Sequence, residues 1–98
     1  MRIMAFKGFD NIETFEVNQD GSPFDLSLAG FTTARVYADR EYVEGTVSGT
    51  EVQAVLGDLE VAVGTYAGKL VVYSPVYPDG LVIAGPGLPE PLEITVKC

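Results

Sequence analysis

The sequence has no histidine and no tryptophan, a single cysteine, and six basic side chains against fourteen acidic ones. Each shortage closes off a class of function. Without histidine, a serine or tyrosine nucleophile lacks its usual general base, so the expectation is a protein that is not an enzyme. Cys98, alone and at the last position, has no partner for an internal disulfide. It reads as an exposed terminal thiol, and the domain has to stand on its core alone. A net charge of −8 repels phosphate backbones, so no nucleic-acid partner is expected. No apolar run approaches the ~20 residues of a bilayer-crossing helix. Lys7 and Gly8 interrupt the apolar start before a signal-peptide core forms. The expectation is no membrane partner and synthesis in a cytoplasm.

Site chemistry is equally sparse. Asn18, Asp20, Asp25, Asp39 and Asp79 lie in or beside turns, where carboxylates can hold calcium. The spacing of a calcium loop is absent, and Asx-turn chemistry accounts for Asp20-Gly21 and Asp79-Gly80 without an ion. Fourteen acids always offer some pair for glycoside hydrolysis, but nothing in the chain selects one. Gly85-Pro86-Gly87 has the wrong glycine spacing for a phosphate cradle, and its proline removes an N–H that a cradle needs. It reads as a break in a sheet. No metal and no cofactor are expected.

What is present is alternation. With 98 residues and 47% apolar side chains, the chain is one domain, residues 1–98, with enough apolar surface for a modest core. Period-two patterning between Gly, Pro, Asn and Asp predicts strands over Arg2–Phe9, Ile12–Val17, Phe31–Ala38, Tyr42–Ser48, Thr50–Leu56, Gly64–Tyr73, Leu81–Ala84 and Leu92–Val96. Gly49 marks a hairpin, with a short helix opening at Gln53 as the weaker alternative. Phe24, Leu26 and Leu28 are placed over an open end of the core. In Gly64-Thr65-Tyr66, the tyrosine stands at the start of a long strand and fits a tyrosine corner. Its hydroxyl should reach backbone within Leu59–Val63. About seven short strands with such a corner predict an all-β, immunoglobulin-like antiparallel sandwich. Phe15, Val17, Val36, Tyr66, Leu70, Val72, Ile94 and Val96 form its expected core.

If Gly68, Leu70 and Val72 point inward, then Lys69, Val71 and Tyr73 point outward. In an immunoglobulin-like arrangement the neighbouring strand presents Thr33, Arg35 and Tyr37. Arg35, Tyr37, Lys69, Val71 and Tyr73 would then share one face, carrying two of only six basic residues. Tyr and Arg anchor interfaces because they are large, amphipathic and lose little entropy on contact. An ordinary solvated face with cross-strand tyrosine packing explains the same pattern equally well.

Phe6-Lys7-Gly8-Phe9-Asp10, the turn Asp20-Gly21-Ser22-Pro23-Phe24-Asp25-Leu26-Ser27, Val63-Gly64-Thr65-Tyr66 running into Leu70-Val71-Val72-Tyr73, and Pro78-Asp79-Gly80-Leu81-Val82 follow one another. Together they resemble small Ig-like virion proteins of phages and prophages. The segment from Asp20 to Ser27 is similar to the N-terminal module of phage baseplate upper proteins. The segment from Glu41 to Leu56 lies outside the resemblance. The resemblance implies a tail or baseplate structural protein, or one used in their assembly, residing in the host cytoplasm when made and in the virion afterwards. It carries no functional residues across. The expected partner is protein, another chain or a second copy. The alternative is a glycan- or host-surface-binding domain, with Tyr37, Tyr73 and Tyr77 standing in for the missing tryptophan.

Overall fold

The computed structural model describes residues 2–19, 22–85 and 91–98. The chain is all-β: β1 (Arg2–Phe6), β2 (Ile12–Glu16), β3 (Asn18–Gln19), β4 (Ser22–Pro23), β5 (Thr33–Ala38), β6 (Glu41–Ser48), β7 (Glu51–Val55), β8 (Gly64–Tyr73), β9 (Leu81–Ala84) and β10 (Leu92–Lys97). One 3₁₀ turn, Leu56–Asp58, interrupts them among the described residues. The alternation works as the sequence implies. Ala34, Val36 and Ala38 of β5, Leu70 and Val72 of β8, and Leu92, Ile94 and Val96 of β10 all enter one apolar cluster. Phe15, Val17 and Val52 join them from the other end of the sheet.

The expectation of an antiparallel two-sheet sandwich is revised. Eight strands form one hydrogen-bonded sheet along the path β1-β10-β8-β5-β6-β7-β2, with β9 beside β8. It is mixed, because β1 runs parallel to β10, and it curls strongly into a half-barrel. The curl follows from connection lengths. The path starts at β1 and ends at β2, yet only residues 7–11 join those two strands. Laid flat, seven strands at ~4.8 Å spacing would hold their outer members about 29 Å apart. A five-residue link reaches roughly 20 Å. The sheet therefore bends until its edges approach, and its concave face becomes the core.

The 3₁₀ turn closes that junction. Gly8 N donates to Gly57 O (2.9 Å) and Leu56 N to Asn11 O (3.0 Å). Phe6 N donates to Asn11 Oδ1 (2.8 Å). Gly57 is buried so tightly that a Cβ there would overlap the Phe9 carbonyl oxygen.

Two core expectations change, and one alternative falls away. Tyr66 packs against the core half-buried instead of lying within it. Leu26 is fully buried and Phe24 packs alongside, but Leu28 is 88% exposed in the turn that follows, so it covers nothing. The short helix near Gln53 is absent, and β7 runs through Val55 before the 3₁₀ turn begins. The hairpin at Gly49 is present, with φ of +59° at that glycine. Asp20, Gly21 and the run from Pro86 to Glu90 lie outside the described residues.

Candidate interaction face

The convex side of β5, β6 and β8 is organised by one two-residue turn. Ala38 pairs with Glu41, leaving Asp39 and Arg40 as the hairpin loop, and Asp39 takes the left-handed conformation (φ +58°). Positive φ at the first loop position matches the twist of the flanking strands. The register that results sets Tyr37 opposite Tyr42 and Arg35 opposite Glu44. On the other flank β5 pairs with β8, placing Arg35 opposite Val71, Tyr37 opposite Lys69 and Thr33 opposite Tyr73. The expected neighbourhood of β5 and β8 is thus present, in register.

These side chains interlock. The Arg35 guanidinium lies over the Tyr42 ring at 4.3 Å and over the Tyr73 ring at 5.1 Å, both within cation–π range. Its Nε–H donates to Glu44 Oε1 at 3.1 Å. The Tyr37 and Tyr42 rings pack at 5.2 Å, tilted by 46°. The Tyr37 and Tyr73 hydroxyls are hydrogen-bonded at 3.1 Å. That bond spans the row holding Arg35 and Val71, so the two tyrosines close over Val71. Gly80 adds to the cover, since a Cβ there would crowd both Val71 and Tyr73. Val71, expected to be presented, is only 5% exposed and supports the face from beneath. Lys69 stands exposed on the same side.

The electrostatics follow from this packing. The Tyr37 hydroxyl, then the Glu44 carboxylate, favours the charged guanidinium and raises the Arg35 pKa further, against a lowering by desolvation. Tyr37 is pushed below the ordinary phenol value, first by the hydrogen bond from Tyr73 and next by Arg35. Tyr73 is pushed up, first by burial and then by its bond to Tyr37. Either hydroxyl can donate while both are neutral; once Tyr37 loses its proton, Tyr73 is the donor. An exposed ion pair alone contributes ~0–1 kcal/mol. Here two rings and a carboxylate fix the guanidinium, so the cluster loses little entropy when a surface docks on it.

Tyr42 and Glu44 complete the cluster and belong to the segment outside the resemblance. Alternation carries their signal, because it places both on one face, and the Asp39-Arg40 loop sets them against Tyr37 and Arg35. Tyr66 stands apart. Its hydroxyl donates to Ala62 O at 2.6 Å, inside the stretch expected for a tyrosine corner. Tyr77, one of the rings considered for a glycan, stacks on Phe31 at 5.8 Å and is not part of the face. Asp25 Oδ1 accepts from Leu28 N, three residues on, at 2.9 Å, as a side-chain cap of that turn does.

Among the described residues no three His, Cys, Asp or Glu side chains are grouped to hold a metal, and no helix is long and apolar enough to cross a membrane. The fold and the face define an all-β domain with a preorganised Arg–Tyr surface. Comparison with protein-family models, curated proteins and solved structures gives no match to this chain.

Proposed function

We propose that this chain is a non-catalytic structural and interaction module of a phage or prophage virion, serving the tail, the baseplate or their assembly. In this reading it docks against another protein chain, a partner or a second copy, through the face bearing Arg35, Tyr37, Tyr42 and Tyr73. The observation that carries it is the interlocked cluster itself: an acidic protein holds a scarce cation between two rings on an outward sheet face. Desolvated Tyr and Arg anchors each contribute on the order of 2 kcal/mol to association. The virion assignment rests on the resemblance of the turn motifs. The immunoglobulin-like part of the reading is supported by the Tyr66 corner and by the two walls of the curled sheet facing one core. The single continuous sheet and the parallel β1–β10 pair depart from it.

Arg35→Ala/Tyr73→Ala tests the docking face. The double variant should keep its far-UV circular dichroism and a cooperative melt while its yield in particles or oligomers falls at least tenfold. Wild-type yield would overturn the reading. Loss of binding to a glycan array with protein association intact would replace it by the glycan-binding one.

A further inference from the structure

β8 has two neighbours on one flank. β10 pairs along Gly64–Gly68 and β9 along Leu70–Val72, so they form one strand line interrupted between Ala84 and Leu92. β1 extends the sheet only beside β10. Among the described residues the sheet stops one strand earlier beside β9, and the far side of the opening is lined by β2, the far end of the path. The opening is lined by Phe15, Glu16, Val17 and Asn18 on one side and Ile83 and Ala84 on the other, with Leu70 also lining it. It encloses about 220 Å³.

Among the described residues the outer flanks of β2 and β9 pair with no further strand. Asn11 O accepts from Leu56 N, and Val17 N donates to Thr50 O, both toward β7. Backbone direction alternates along an antiparallel strand, so Asn11, Glu13 and Phe15 face β7, as does the Val17 N–H, while the Val17 carbonyl accepts from Phe24 N. Ile12, Thr14 and Glu16 direct their N–H and C=O groups away from β7, along the outer flank of β2 that reaches the opening at Glu16. Among the described residues β9 pairs with β8 alone.

Charge selects the occupant. Among the described residues Glu16 is the one ionisable group lining the opening, and it stands directly opposite Glu51 on β7. Like charges in register destabilise a strand pair; the Thr50 hydroxyl donates to Glu16 Oε1 at 3.1 Å but brings no charge, and a cation on a third strand would. A second copy adding its own β2 would bring the same acids together, so self-pairing at this edge is disfavoured.

We propose that the opening between β2 and β9 accepts an extended apolar–basic segment of another protein as an added strand. Its main chain would hydrogen-bond to Ile12, Thr14 and Glu16. Alternate apolar side chains would enter the space among Phe15, Leu70 and Ile83, and a Lys or Arg would sit beside Glu16. This surface is separate from the Arg35–Tyr73 face and does not depend on it.

The test uses a synthetic six-residue peptide alternating Lys and Val, with a peptide of the same composition in two blocks as the control. Amide exchange of the intact protein is followed by NMR. The alternating peptide should slow exchange at Ile12, Thr14 and Glu16, and Glu16→Lys should weaken its binding at least tenfold. Thr14→Pro removes one N–H on the outer flank of β2 without touching the bonds to β7. It should also weaken binding tenfold while the far-UV spectrum is retained. Equal binding of the blocked peptide, protection elsewhere, no binding, or wild-type affinity in Glu16→Lys would each overturn the proposal. Should Thr14→Pro unfold, Glu16→Lys and the exchange pattern decide between these outcomes.

Discussion

Tyr66 shows how one side chain holds a loop. Its hydroxyl ties back to Ala62 O just before the chain enters β8, so the approach through Leu59–Val63 is fixed at its last step. Tyr66→Phe keeps the ring packing and strands that carbonyl. Because the ring is half-buried, water recovers part of the loss, and the cost should be about 1 kcal/mol in urea unfolding. Unchanged stability, with Tyr66→Ala as the reference for losing the ring as well, would show that the corner holds nothing. The Tyr37–Tyr73 pair makes a second prediction at this scale. Tyr37 is lowered, so its contribution to stability grows as pH rises from its folded value toward the ordinary phenol value near ~10. Tyr73 is raised, so its contribution is lost as pH climbs from about 10 toward its folded value. Phenolate absorbance should resolve one tyrosine titrating early and one late. In Tyr73→Phe the early one should return toward the ordinary value. Two unshifted titrations would refute the division of roles.

At the scale of elements, β8 is the organiser. Ten residues long, it pairs with β5 on one flank and with β10 and then β9 on the other. Period-two alternation identifies each of these strands, because burial on one face imposes it. The β5–β8 register is legible in part, since the inward Gly68, Leu70 and Val72 imply which residues point out. The fate of Val71 is not legible. Its orientation is the expected one, yet its exposure depends on Tyr37 and Tyr73 bending together across two rows of the sheet, which no single-strand pattern encodes. Tyr42 escapes sequence reasoning for the complementary reason. Its face can be read from alternation, but its importance comes from the turn at Asp39-Arg40, which brings it over Arg35.

At the scale of the molecule, closure depends on a few residues where both ends of the sheet path meet the 3₁₀ turn. Gly57 is the tightest of them, because any side chain there meets the Phe9 carbonyl. Gly57→Ala must displace the link between β1 and β2, and the cost should be about 2–3 kcal/mol. A lowered urea midpoint with the far-UV spectrum retained would fit this, and a wild-type midpoint would show that the junction is slack. The sequence by itself determined the strand content, the single core, the acidic surface and the corner at Tyr66. These follow from composition, alternation and local turn chemistry, each readable within a few residues. Only the tertiary structure decided that the strands form one mixed, curled sheet, that β1 lies parallel to β10, and that an opening is left between β2 and β9. Those outcomes depend on which strands pair across the whole chain. A strand's face pattern is the same whichever neighbour it takes, and parallel or antiparallel pairing leaves no mark on it.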